Sequence, residues 1–177
     1  MTDPKPICYI LIGPPAAGKS TWIAENWMNE YTRHIVVSSD NEIERHAKSV
    51  GKTYNDVFAS HIKKATKVAM ADAQMAADQG YNVVIDRTNM TIGARKKFID
   101  IFKDTHIIIG YDFGTPDNIV ERLLSRPGKD IPMHIVCNMI ESYEAPTLEE
   151  GFDAVYDNDS AIDTLKIVND LKIHEGN

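Results

Sequence analysis

Residues Gly13-Pro14-Pro15-Ala16-Ala17-Gly18-Lys19-Ser20-Thr21 carry glycine, glycine, lysine and serine at the spacing Gly-x-x-x-x-Gly-Lys-Ser. That is the pattern of a loop whose backbone N–H groups wrap a phosphate, with glycine permitting the turn where a Cβ would clash. In such a loop Lys19 places a point charge on the β- and γ-phosphates and the Ser20 hydroxyl can hold Mg²⁺. The next helix aims its positive N-terminal end at the nucleotide. Other residues could complete phosphate chemistry. Asp86 ends one apolar run, and Asp40 follows another after two serines. Arg122 and Arg126 precede the loop Pro127-Gly128-Lys129-Asp130. A strand-end aspartate beside a phosphate loop coordinates Mg²⁺ directly or through water. Arginines that close over a nucleotide supply positive charge to the transferring oxygens and help exclude water.

These residues need a scaffold that brings them to one edge. Ile7 to Ile12 is an apolar run of strand length immediately before the loop, and Trp22, Ile23 and Trp27 give an apolar face to a helix running to about Asn29. Ile35-Val36-Val37 reads as a second strand and Tyr81 to Asp86 as a third, with Ile107-Ile108-Ile109 central to a fourth and Phe152 to Tyr156 a fifth. Between them, a long helix is expected from about Asn55 to Gln79, with Phe58, Ile62, Ala65, Ala69, Ala73 and Ala76 at helical spacing and Gly80 closing it. Thr91 is expected to cap a helix from Ile92 to Lys103. Pro116 opens another through Ile119, Val120, Leu123 and Leu124, and one more runs from Ile131-Pro132 to about Tyr143. Ser160 to Leu171 has the spacing of a last helix. Alternating strands and helices predict an α/β fold: one domain over residues 1–177, a doubly wound parallel five-stranded sheet with helices on both faces, and a lid around 122–130. In such sheets functional groups gather at the carboxyl ends of strands, which would turn Asp40 toward the phosphates. The same residue could equally be the N-cap of a helix starting at Asn41.

Composition narrows the function. The chain has 177 residues, ordinary apolar and charged fractions and a net charge of −7, which argues against indiscriminate coating of DNA but leaves room for a local basic groove. No apolar run approaches the roughly 20 residues that cross a bilayer. The N-terminus has no signal-peptide pattern, and Cys8 and Cys137 read as reduced thiols, so a cytoplasmic protein (host cytoplasm if the source is viral) with no membrane partner is expected. Lys63, Lys64 and Lys67 cluster on the long helix, either as a solvated face or as a contact surface for substrate phosphates. There is no room for a motor's accessory elements and no Asn-Lys-x-Asp guanine-reading motif.

Four segments, in order, resemble the kinase domain of the polynucleotide 5′-hydroxyl kinases, the end-healing enzymes of bacteriophages and eukaryotes. They are Gly13 to Trp22, Val37-Ser38-Ser39-Asp40, Val84-Ile85-Asp86-Arg87-Thr88-Asn89, and Ile119 to Arg126 leading into Ile131-Pro132; Ser142 to Val155 also resembles the end of the eukaryotic kinase domain. The resemblance spans about residues 7 to 156 and implies a P-loop kinase fold, ATP and Mg²⁺ as cofactors, and a DNA or RNA 5′ end as the acceptor. It implies that residues Gly13 to Thr21 hold the nucleotide, Ser20 and Asp86 the metal, and that Asp40 is the general base. It further implies that Arg126 stabilises the transferring phosphates with help from Arg122, and that Thr88 and Asn89 lie beside the site as substrate-binding residues. Arg45, Lys63, Lys67 and Arg87 are expected to guide the substrate strand. The chain departs from the family at Ser38-Ser39, where Asn-Arg is usual, after Asp40, where the phage enzymes carry an arginine, and at Arg87. These positions surround the acceptor. A hydroxymethylpyrimidine base in DNA, a small hydroxyl-bearing metabolite or a nucleoside is therefore the alternative acceptor. A nucleotide-binding module without catalysis is the rival from another class.

Overall fold

The computed structural model describes residues 5–27 and 33–158. Its frame is a five-stranded, wholly parallel sheet in the order β2-β3-β1-β4-β5. The strands are β1 (Ile7–Ile12), β2 (His34–Val37), β3 (Asn82–Ile85), β4 (Ile107–Asp112) and β5 (Ala154–Asp157). β1 is buried along its whole length because both faces of the sheet are covered, as its unbroken apolar run requires. Cys8, Ile10 and Ile12 face helices α3 (Tyr54–Gln79) and α4 (Ile92–Phe102), whose Ala69, Ala73, Ala76, Phe98 and Phe102 fill that layer. Ile7, Tyr9 and Leu11 point the other way, onto Trp22, Ile23 and Trp27. Those three residues lie on α1 (Lys19–Trp22) and its direct π-helical continuation, Ile23–Trp27.

Local chemistry sets the element ends. Thr53 and Asp56 form a reciprocal capping box at the start of α3, and Gly80 ends it in the left-handed region at φ 66°. Thr91 accepts the Ala94 N–H at 3.2 Å to start α4, as its type and position predicted. α2 (Ser39–Ser49) corrects one sequence expectation. The cap is Ser38, whose hydroxyl accepts the Asn41 N–H at 3.3 Å, so the helix begins at Ser39 and not at Asn41. Asp40 lies inside the first turn and is not the N-cap. β4 extends three residues beyond the isoleucine run because Gly110 to Asp112 stay in register with Ile10 to Ile12 of β1. Pro116 opens a turn only, and α5 (Ile119–Leu124) follows it. α6 (Met133–Glu141) and a short 3₁₀ turn, Leu148–Glu150, lead to β5. The end of the first helix near Asn29 and the expected helix from Ser160 to Leu171 fall outside the described residues.

Parallel strands put all their carboxyl ends on one edge. The level pairing of Ile10 with Ile85 and of Ile85 with Val37 brings the segments after β1, β2 and β3 together.

Candidate active site

The phosphate-type loop leaves β1 at Gly13, whose φ of 153° and close approach to Phe113 suit glycine. A Cβ there would meet the Phe113 Cβ at 3.1 Å and the Ala17 Cβ at 3.2 Å. Gly18, at φ 110°, turns the chain into α1 without a side-chain cap, so the first helical N–H groups have no side-chain acceptor of their own. Ser20 is exposed at this helix start. Lys19 is buried and folds back over the loop, donating to the carbonyls of Gly13 at 2.9 Å and Pro14 at 2.8 Å. Burial lowers its ammonium pKa to about 8, against the pull of Asp86.

The floor beneath the loop is built from Thr88 and Asn89. The Thr88 carbonyl accepts the Gly13 N–H at 2.9 Å. Asn89 is buried in a left-handed conformation at φ 47°, and its amide donates to the Leu11 carbonyl at 2.7 Å. Its own carbonyl accepts from Arg95 at 3.0 Å. Arg95, with no exposed surface, forks onto Glu150 through bonds of 2.8 and 2.7 Å. Asn89 was expected to face the substrate. Its amide nitrogen instead ties two strand ends together under the loop.

Asp86 lies mostly buried at the end of β3. Burial raises its carboxyl pKa, opposed chiefly by Lys19 and also by Lys129 and Arg126. Asp40, Lys19, Asp86, Arg126 and Lys129 therefore form one electrostatic group drawn from four parts of the chain. Arg122 reaches across the loop, its guanidinium donating to the Ala16 carbonyl at 3.5 Å. Arg87 is half-buried near Asp40, whose charge opposes the lowering of the guanidinium pKa that burial causes. Among the described residues its side chain has no hydrogen-bond or ion-pair partner.

The structure separates three other expected residues from this group. Arg45 is committed to Glu42, its Nε donating at 3.0 Å. That pair belongs to a patch between α2 and α3 where His61 meets Glu42 at 3.4 Å and stacks on His46 with ring centroids 3.9 Å apart. The reason is helical phase: Arg45 is five positions after Asp40 and so faces about 140° away. Lys63 and Lys67 are exposed on α3. They lie roughly 13 and 20 Å along the axis from Tyr54 at 1.5 Å per residue.

Sequence reasoning missed Lys129 and Tyr54. Lys129 forms ion pairs with Asp40 at 3.3 Å and Glu44 at 2.5 Å, and its ammonium lies 4.8 Å from the centre of the Tyr54 ring. The Tyr54 hydroxyl donates to Asp40 at 2.8 Å. The only sequence signal for Lys129 was its place after Pro127-Gly128. Tyr143, also missed, donates to Asp112, and burial together with that carboxylate pushes its phenol up to about 12. It borders a cavity of about 90 Å³ against Gly13, Pro14 and Gly114.

Hard divalent cations take oxygen ligands, and Ser20 with Asp86 provides a hydroxyl and a carboxylate beside the loop. The Asp86 carboxylate accepts no hydrogen bond from the described residues, which fits it for that use. No described helix is long and apolar enough to cross a membrane.

The fold and motifs agree with comparisons to known proteins. An L-seryl-tRNA(Sec) kinase from Methanococcus maripaludis is 25% identical over 175 residues, covering 94% of this chain. The chain spans 65% of that curated relative's length. Among solved structures, a candidate kinase from Chloroflexus aurantiacus superposes with a TM-score of 0.65 at 19% identity, covering 96% of each chain. A chain of the Pnkp1/Rnl/Hen1 RNA repair complex superposes with a TM-score of 0.62 at 22% identity, covering 80% of this chain and 45% of that one. These structures share the P-loop kinase fold. The family model described as "AAA domain" (AAA_33) matches residues 9–146, and the chain belongs to that family.

Proposed function

We propose that the chain is an ATP- and Mg²⁺-dependent phosphotransferase that acts on the 5′-hydroxyl end of a nucleic acid. The observation that carries the reading is the position of Asp40. It is not consumed as a helix cap, and it shares one electrostatic group with Lys19, Asp86 and Arg126. The ordered resemblance to the 5′-hydroxyl kinases supports the acceptor class. So do the tRNA kinase and the RNA repair complex among the similar proteins.

In this reading the loop amides and Lys19 hold the β- and γ-phosphates of ATP. Ser20 and Asp86 would hold Mg²⁺, which would neutralise phosphate charge when bound. The segment 122–130 is the lid, from which Arg122 and Arg126 stabilise charge on the transferring group. The acceptor oxygen forms its bond to the γ-phosphorus as the bond to the β,γ-bridging oxygen breaks. ADP departs with that electron pair, and the hydroxyl proton passes to the Asp40 carboxylate. Arg87, without a hydrogen-bond or ion-pair partner among the described residues and half-buried near Asp40, receives an anionic group of the acceptor, such as the phosphate next to its terminal nucleoside.

One observation favours the alternative acceptor. Ser38 and Ser39, which stand where the resembled family has a polar-cationic pair, are both buried and give the acceptor no charge. A hydroxymethylpyrimidine base or a small hydroxyl-bearing molecule would need none there.

Transfer from γ-labelled ATP tests the proposal. Parallel reactions at one salt concentration compare a 5′-hydroxyl oligonucleotide, its 5′-phosphorylated form, and a 5′-phosphorylated form carrying hydroxymethylpyrimidine. Label on the first alone is expected, with about a 10²–10⁴-fold loss in Asp40→Asn. Label on the third alone replaces the end-kinase reading with base modification. Absence of label on all three, with ATP still bound, overturns the nucleic-acid acceptor.

A further inference from the structure

We propose that Lys129 and Tyr54 make phosphoryl transfer selective for an acceptor hydroxyl over water, with Lys129 bridging Asp40 and Glu44 until the acceptor takes it off Asp40 and leaves it on Glu44 alone. The inference rests on the reading of Asp40 as the base. A kinase that holds ATP beside an armed carboxylate faces a competing reaction. A water oxygen bonds the γ-phosphorus, the β,γ-bridging bond breaks, the water proton passes to Asp40, and ADP and phosphate are released. Something must keep Asp40 from serving water.

Both carboxylate oxygens are engaged. Tyr54 donates to Oδ1 at 2.8 Å and Lys129 Nζ donates to Oδ2 at 3.3 Å. Tyr54 is fixed as the first residue of α3 by the capping box behind it. Its phenol pKa is raised by burial and by Asp40, so it remains a donor and never competes for the proton. Lys129 is held from three sides. Its side chain is only 16% exposed, it spans Asp40 and Glu44, and it lies against the Tyr54 ring. Asn55 pairs with the backbone of Asp130 at 3.5 and 3.4 Å, which fastens the adjoining chain to the start of α3. A proton arriving on Asp40 while Lys129 is seated breaks this ion pair, which disfavours attack by water.

Glu44 supplies the release. It stands one helical turn after Asp40, and its 2.5 Å contact with Lys129 is shorter than the lysine's contact with Asp40. The ammonium can therefore leave Asp40 without becoming an unpaired, mostly buried charge. A bulky acceptor entering against Asp40 drives that shift, whereas water does not.

The test is acceptor-free ATP hydrolysis by the full chain with Mg²⁺. Lys129→Met is expected to raise hydrolysis by about tenfold. The gain should vanish in Lys129→Met combined with Asp40→Asn, and Glu44→Gln should lower kcat for transfer with little change in KM for ATP. Unchanged or reduced hydrolysis in Lys129→Met, with ATP affinity and melting temperature preserved, overturns the proposal. A second measurement is independent of turnover: acetylation of Lys129 by an acylating reagent, followed by mass spectrometry. Slow labelling in the wild type and severalfold faster labelling in Asp40→Asn/Glu44→Gln is expected. Equal labelling overturns the seated lysine while leaving the proposed function standing. Slow wild-type labelling in a protein that transfers to no acceptor overturns the function and not the contact.

Discussion

The floor and the roof of the site are built on opposite principles. Below the phosphate loop, Asn89, Arg95 and Glu150 are buried and joined by bonds of 2.7 to 3.0 Å that close on the Leu11 carbonyl. Above it, Arg122 reaches Ala16 at 3.5 Å and Asp130 meets Asn55 at 3.4 and 3.5 Å, while Lys129 is the anchored exception, at 2.5 Å from Glu44 and 3.3 Å from Asp40. Buried, fully partnered networks are costly to break and hold one geometry. Long contacts near solvent exchange readily for contacts to an entering ligand. The contrast separates two tasks. In the proposed function the loop holds its phosphate-binding shape before nucleotide arrives, and the segment 122–130 acts as a lid that can leave.

Breaking the floor should have the largest effect on stability. Glu150→Ala leaves Arg95 charged and buried without its carboxylate, and should cost about 3–5 kcal/mol, read by urea denaturation. A loss below 1 kcal/mol would mean that Arg95 is not the brace described here. Breaking the roof should spare stability and remove activity. Arg126→Ala should lower kcat by about 10²–10³-fold, with the denaturation midpoint unmoved. A shifted midpoint would assign Arg126 to the fold.

The junction of the two regions is Lys19, and it should report through protons. Burial holds its folded pKa at about 8, below the ordinary lysine value of 10.5, so without nucleotide it loses its charge as pH rises past 8. Bound phosphates favour the charged form and raise that pKa. Nucleotide binding at pH 8 to 9 should therefore take up protons, and affinity should fall as pH rises through that window. Calorimetry in two buffers of different ionisation heat measures the uptake. Proton release would reverse the assignment. The smallest effect is expected at Arg45, whose Glu42 pair lies away from both regions. Arg45→Ala should change kcat by less than about twofold.

Much of the floor's framework was legible in advance because it depends on local order. The apolar run Ile7 to Ile12, the loop spacing to Ser20 and the acid ending β3 each lie within one short segment. Asn89 was noticed for its neighbours Asp86 and Thr88. Its buried bond to Leu11 joins positions 78 residues apart and follows from no local pattern. Nothing local marks Arg95 as a brace, because its partner Glu150 lies 55 residues away. Arg45 was expected to guide the substrate strand, but it lies five positions beyond Asp40 and that face of α2 turns toward His61 instead.

By itself the sequence determined the alternation of strands and helices, the parallel sheet that follows from it, and the loop that identifies a nucleotide site. Each is set by periodicity or by spacing between near neighbours. Only the tertiary structure decided that Lys129 and Tyr54 meet on Asp40, that the Asn89 amide braces Leu11, and that Lys63 and Lys67 stand well down α3. The packing of α2 against α3 and the docking of the 127–130 loop on them bring together residues up to 89 positions apart. Such contacts are chosen by the whole buried surface and not by the identity of any one side chain.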